Sequence, residues 1–359
     1  MQPMPASVMI GQIEDYPNIL RDQVGSYDQA ARKVFSTLEY RSFRHVVVTG
    51  DGDSFHAAHA VELAFENIAG VVCEPMSAQR FLSYGADWLT VPAPRHTLVI
   101  GVSASGGTQR VVQALTRARE QGATTLAITC TPGSAVTEAA EAALISQLSD
   151  FGPSPGLRTF EANLINLYLV AIRIGEIRGR FTQDEANAMR VELSQLSEPA
   201  AATIQATKDL AKSAAATLGD AALMTVVGSG PSYGTALFSA AKIVEAAGVM
   251  AVGQDLEEWA HVERFAYPLD MPTIIISPDG RSHWRAVDLA KSAKSLGRRV
   301  VVVCKDGDAE LAESADMVWP VMGDCREEFS PLLYNIAVSF FSSYLADHLG
   351  RMLFQTDRL

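Results

Sequence analysis

Short, unbroken apolar runs alternate along this chain with longer stretches whose apolar residues recur at helical spacing. The runs are His45-Val-Val-Val, Thr97-Leu-Val-Ile-Gly-Val and Thr125-Leu-Ala-Ile, then Thr225-Val-Val, Thr273-Ile-Ile-Ile and Val300-Val-Val-Val. A strand that is apolar at every position is covered on both faces, as strands inside a parallel sheet are. Between and after these runs lie segments poor in glycine and proline, among them Glu185 to Leu196, Ala200 to Leu218 and Pro331 to Leu349. Their apolar period predicts helices. The strand, helix, strand order predicts an α/β protein with two doubly wound parallel-sheet domains in tandem, joined by linking helices. The expected divisions are a helical segment over 1–44, a first domain over 45–215 and a second over 216–359.

The two halves repeat one another. His45-Val-Val-Val-Thr-Gly50-Asp-Gly52-Asp53-Ser54 is matched by Thr225-Val-Val-Gly228-Ser-Gly230-Pro-Ser232-Tyr233, and each turn runs into an Ala-rich segment that ends at a glycine, Gly70 or Gly248. Gly50 to Gly228 and Gly70 to Gly248 are both steps of 178 residues. A tandem duplication follows. The copies differ where chemistry is possible. After its second strand the first carries Ser103-Ala104-Ser105-Gly106-Gly107-Thr108, whereas the second carries Ser277-Pro278-Asp279-Gly280-Arg281-Ser282. Glu245 and His261, sixteen residues apart in the second copy, have Asn67 and Ser83 as their counterparts in the first.

Length and composition narrow the classes. With 359 residues, 48% of them apolar, the chain can fill two ordinary cores. A net charge of −12 and a pI near 5.1 argue against a nucleic-acid partner. The sequence has no basic, apolar leader and no run of about 18 apolar residues, so neither secretion nor membrane insertion is expected. The four cysteines, Cys73, Cys130, Cys304 and Cys325, stand far apart in no metal-type spacing and read as buried, reduced thiols of a cytoplasmic protein.

A loop leaving the carboxyl end of a parallel strand and opening a helix offers backbone N–H groups to an anion. In Ser103–Thr108 three hydroxyls add donors and two glycines allow close approach. A serine or threonine helix cap on a glycine turn is the competing reading. The turn at Gly50 lacks the third glycine of a dinucleotide fingerprint, Phe55 standing in its place as Tyr233 does in the other copy. No nicotinamide or flavin is therefore expected, though Ser54 remains a donor toward a sugar. Glu245 lies in an apolar helical stretch with Lys242 three residues earlier, within reach as an ionic partner. An exposed charged face is the plainer alternative. With His261 the carboxylate makes a pair able to move protons near neutral pH. His56 and His59 are three apart, but no third ligand stands at a recognisable spacing, so no metal is expected and a helix face near the pocket is the role assigned to them.

Taken together these residues resemble the sugar isomerase (SIS) domain family in its double form, as in the isomerase half of glucosamine-6-phosphate synthase. The likeness runs from Gln12 to Ile336. It implies a phosphate held by Ser54, Ser103, Ser105 and Thr108, with no cofactor. It also implies Glu245 as the proton-transfer residue, assisted by Lys242, and His261 as the group that helps open the sugar ring. Sugar contacts from Ser154, in the loop Phe151–Thr159, and from His56 are implied as well, and so is a homodimer in which the histidine comes from the neighbouring subunit. The synthase of that family carries a glutamine-using domain ahead of this region and a lysine in its tail. This chain opens on Met1-Gln2 and its last lysine is Lys305. The expectation is a phosphosugar isomerase-type enzyme acting without glutamine, of the deglycase or deaminase kind, with aldose–ketose isomerisation next. The alternative is a non-catalytic sugar-phosphate sensor, which needs Ser103–Thr108 but not Glu245 with His261.

Overall fold

The computed structural model describes residues 3–89 and 94–358. The first sheet contains β1 (His45–Gly50), β2 (Val72–Ser77), β3 (Thr97–Val102), β4 (Thr124–Thr129) and β5 (Ala142–Ile145), all parallel in the order β2-β1-β3-β4-β5. The second contains β6 (Leu223–Gly228), β7 (Met250–Asp255), β8 (Pro272–Ser277), β9 (Arg299–Lys305) and β10 (Met317–Val321), in the order β7-β6-β8-β9-β10. Counted from the first strand of each, the two orders are the same. Both sheets reverse their direction of growth beside the first strand, between β1 and β3 and between β6 and β8. The crevice beyond the carboxyl ends of those strands is where doubly wound folds take ligands.

The apolar runs fold as their pattern requires. Every residue of β3, β4 and β8 is buried. In the first sheet Val47, Val99 and Ala127 pack with Val111, Ala114, Leu115 and Ala118 of the helix Gln109–Glu120. In the second, Val227, Ile275 and Val302 pack with Ala286, Leu289, Ala290 and Ala293 of the helix His283–Ser295. Burying a side chain such as Leu115 contributes about 1.5–3 kcal/mol.

The duplication reaches the backbone dihedrals. The helix Asp53–Ala64 starts from Gly52 at φ 56°, ψ −128°, and the helix Pro231–Ala247 from Gly230 at φ 56°, ψ −130°. A positive φ of this kind favours glycine, so both copies keep one there. Both segments end on left-handed glycines, Gly70 and Gly248.

By contact the chain forms two compact units. One holds the first sheet and consists of residues 18–149 and 158–195; the other holds the second sheet and consists of residues 1–17, 150–157 and 196–359. The expected boundary at 215/216 falls inside the helix Ser197–Leu218, which packs on Ile336–His348 within the second unit. The N-terminal helix begins at Ala6 and runs to Lys33, inside the helical segment expected over 1–44. None of the four cysteines is in a disulfide. Cys73 and Cys304 are buried as expected, but Cys130 and Cys325 are only half-buried, a correction that arises because each follows rather than lies within a strand. Among the described residues no helix is long and apolar enough to cross a membrane.

Candidate active site

In the first unit, the segment Ser103–Thr108 bridges the end of β3 and the helix Gln109–Glu120. Ser103 is buried, and its hydroxyl lies 2.8 Å from that of Thr108. Thr108 occupies the position before the helix yet makes no side-chain cap, having turned its hydroxyl toward Ser103 instead. The helix therefore keeps the N–H groups of its first turn for another acceptor. Capping, the competing account of these hydroxyls, does not describe Thr108.

The loop's shape is set from beneath. Gly106 has φ +69°, its N–H donates to the Ser103 carbonyl at 3.0 Å, and its carbonyl accepts from Val136 N–H at 3.1 Å. A Cβ on Gly106 would lie 2.1 Å from Ser134 Oγ, so the packing as well as the dihedral demands glycine. Ser105 is exposed, and its hydroxyl accepts from Gly107 N–H at 3.4 Å. Ser54 stands in the first turn of Asp53–Ala64. A Cβ on Gly50 would be 2.4 Å from Ser54 Cβ and 3.1 Å from the Val102 carbonyl, which brings Ser54 beside the end of β3 where Ser103 begins. Asp53–Ala64 also lacks a side-chain cap. Two helix starts without side-chain caps, and the segments that carry Ser54, Ser103, Ser105 and Thr108, thus come together at the β1/β3 switch point, an arrangement suited to an anion. His56, one turn further on, is half-buried with Nδ1 3.7 Å from Asp53 Oδ1. His59 packs edge-on against Phe55, and burial, with His56 and Arg80 nearby, holds its imidazole down to about 4.

The corresponding loop of the second unit is filled from within. Arg281 N–H donates to Glu327 Oε1 at 3.2 Å, Arg281 Nε lies 3.5 Å from Glu327 Oε2, and a Cβ on Gly280 would meet Glu327 Oε1 at 2.5 Å. The protein's own carboxylate occupies the place an external anion would take. Beside it, a cavity of about 430 Å³ is lined by Asp279, Asp306, Asp308 and Glu310 with His283 and Lys305, a field that repels phosphate. Neither Glu327 nor the His283–Asp308 contact of 2.7 Å was marked by the sequence, because their partners are 46 and 25 residues away.

Lys242 and Glu245 meet as their spacing predicts. Lys242 is wholly buried, its ammonium bonded to Glu245 Oε2 and lying 4.9 Å from the centre of the Phe238 ring, while Glu245 keeps 29% of its side chain exposed. An ammonium out of water costs several kcal/mol unless a counter-charge and further contacts offset it. A plain solvated face is excluded for this pair, since its cation is in the core.

His261 is placed differently. It ends the short helix Leu256–His261 with 68% of its side chain exposed, and its Nε2 lies 3.1 Å from Glu257 Oε1 rather than against Glu245. Arg285 holds the same Glu257 carboxylate through Nε at 2.6 Å and Nη2 at 3.1 Å, which keeps that carboxyl below its usual range. Ser154 is half-buried, donates to the Pro155 carbonyl at 3.1 Å, and falls in the second-sheet unit. Among the described residues no group of three or more His, Cys, Asp or Glu stands in a metal-binding arrangement.

Fold and site together define a duplicated, doubly wound α/β protein with a hydroxyl-rich glycine turn opening a helix in one copy and, in the other, a Lys–Glu pair whose lysine is buried. The chain belongs to the SIS domain family, whose pattern matches residues 39–173 and 218–342. It is similar to the glutamine–fructose-6-phosphate aminotransferase [isomerizing] of Streptomyces coelicolor, 28% identical over 99% of this chain and 58% of that protein. The enzyme of the same name from Corynebacterium diphtheriae is 25% identical over 94% of this chain and 55% of its own. The chain thus spans little more than half the length of these relatives. Among solved structures it is similar to the C-terminal domain of glucosamine-fructose-6-phosphate aminotransferase from Francisella tularensis, with a TM-score of 0.85, 16% identity and 96% of both chains covered. It is also similar to tagatose-6-phosphate ketose/aldose isomerase from Escherichia coli, with a TM-score of 0.76, 14% identity and coverage of 99% and 97%.

Proposed function

We propose that the protein is a phosphosugar isomerase-type enzyme acting on a 6-phosphorylated fructosamine or an amino-sugar phosphate, releasing an amine without drawing on glutamine. Plain aldose–ketose isomerisation stands next. The observation that carries the reading is the Thr108 hydroxyl bonded to Ser103 in place of its own helix, beside Ser54, with the twin loop stoppered by Glu327. In this reading Ser54, Ser103, Ser105 and Thr108 hold the phosphate. His261 helps open the ring, with its turn of helix supplied across a homodimer, and Ser154 and His56 touch the sugar. Glu245 takes the proton from the carbon next to the carbonyl or iminium group, the electrons pass into an enediol or enolamine, and the proton returns at the neighbouring carbon; from a fructosamine this leaves a C1 imine, to which water adds, the C–N bond then breaking to give the aldose 6-phosphate and the free amine. Lys242 supplies the counter-charge that a carboxylate in an apolar helix requires.

The exposure of His261 and its bond to Glu257 favour a second reading, a sugar-phosphate sensor without turnover. Proton NMR in D2O separates the two, using fructose 6-phosphate, glucosamine 6-phosphate and 6-phosphorylated fructose–amino acid adducts. Loss of a C1 or C2 proton signal with release of amine supports the deglycase or deaminase. Exchange without release supports the isomerase. Binding with no exchange on any of the three overturns the enzyme reading.

A further inference from the structure

The segment that follows His261 has no core of its own: no residue from 261 to 270 is buried. It nonetheless presents Val262, Phe265, Tyr267 and Leu269 to solvent in a fixed turn. What chiefly holds it is a side chain from the connection between the helix His283–Ser295 and β9. Arg298 is 2% exposed. Its Nη1 donates to the carbonyls of Pro268 at 2.6 Å and Leu269 at 3.3 Å, and its Nη2 to those of Glu263 at 3.1 Å, Arg264 at 3.3 Å and Ala266 at 2.9 Å. Burial displaces this guanidinium below its usual range, an effect eased by Asp270. A fork of donors aimed at five carbonyls is a means of shaping a backbone that packing does not shape. A second anchor comes from Gln254, whose Nε2 donates to Glu263 Oε1 at 3.0 Å.

The first carbonyl in that grip, Glu263, is two residues from His261, and Phe265 N–H closes the intervening turn on the Val262 carbonyl at 3.2 Å. We propose that Arg298 is a positioning residue for His261, holding the histidine-bearing turn in the geometry that ring opening requires. The inference rests on the function proposed above. It assigns to Arg298 no contact with substrate.

The test uses the full chain with D-fructose 6-phosphate and with its 5-deoxy analogue, which lacks the hydroxyl that closes the furanose ring. Exchange of C1 protons in D2O is the readout. In Arg298→Met, exchange on fructose 6-phosphate is expected to fall roughly 10- to 100-fold, the effect of misplacing a catalytic group by about 1 Å. On the open-chain analogue it stays within about twofold, because a ring-opening defect leaves the later proton transfer untouched. Hydrogen exchange across 262–270 quickens while β8 and β9 keep their protection. Gln254→Ala, which removes one anchor, shows the same pattern more weakly and decides the matter if Arg298→Met does not fold. Equal loss on both substrates, or no loss on either, overturns the proposal. His261→Asn separates the two levels: if it leaves fructose 6-phosphate exchange intact, the functional reading of His261 fails and this inference with it. If it impairs exchange while the Arg298 and Gln254 variants do not, only this inference fails.

Discussion

Gly106→Ala is the sharpest perturbation of the proposed phosphate loop. At φ +69° an alanine meets the left-handed penalty of about 1–2 kcal/mol. Its methyl would lie 2.1 Å from Ser134 Oγ, 2.3 Å from Ser134 Cβ and 3.1 Å from Thr129 Oγ1, so Ser134 must leave its place, at about 1–3 kcal/mol for an overpacked site. The two contributions together come to about 2–5 kcal/mol. If the loop holds its shape, the cost appears as lower stability, read as the urea midpoint of far-UV circular dichroism. If the loop gives way, it appears as weaker phosphate binding, roughly thirtyfold or more in the Kd for fructose 6-phosphate by titration calorimetry. Gly107→Ala is the control, because a Cβ there has nothing within 4 Å and the backbone is one that alanine adopts. Its stability is expected to be unchanged or raised by about 0.4–1 kcal/mol. A Gly106→Ala protein with wild-type midpoint and wild-type affinity would refute the reasoning about the loop.

Glu245→Gln should lower turnover about 10²- to 10⁴-fold while leaving the Kd for the phosphate ligand near its original value, and full activity would remove Glu245 from the mechanism. Glu245→Gln mixed with His261→Asn, each inactive alone, should regain about a quarter of wild-type activity if each site draws on two subunits, whereas no recovery in a verified mixed dimer argues for sites built within one chain. Burial, with Glu66 beside it, pushes the Glu62 carboxyl up from 4.5 to about 7, so the folded protein keeps a proton that the unfolded chain releases and stability falls as pH rises from 4.5 to 7. Glu62→Gln should flatten that fall, by no more than about 1–2 kcal/mol for a half-buried group, and an unaltered profile of Tm against pH counts against it. His59 acts in the opposite sense: its imidazole stays neutral down to about 4, so stability is lost as pH falls from 6.5 through 4, and His59→Gln should remove that loss.

The amino-acid sequence by itself determined the six inner strands, the α/β class and the duplication, whereas the edge strands β2, β5, β7 and β10, only partly buried, carry no unbroken apolar run to mark them. Each feature it determined is written in residues close together along the chain: a run of apolar positions marks a strand covered on both faces, and a glycine at 52 or 230 permits one backbone turn whatever lies around it. The loop Ser103–Thr108 and the Lys242–Glu245 pair were legible for the same reason, since hydroxyls on a glycine turn and charges three apart on a helix are near neighbours in any fold. Tertiary structure decided the rest. Only the packing of Ser134 beneath Gly106 and the turn of Thr108 toward Ser103 separate this loop from an ordinary helix cap. Only the approach of Glu327 across 46 residues shows that the second copy's loop is already filled, and only the path of the chain around Arg298 shows what holds the turn after His261. Contacts of that range depend on how sheets and helices are laid together, and no local period or spacing records them.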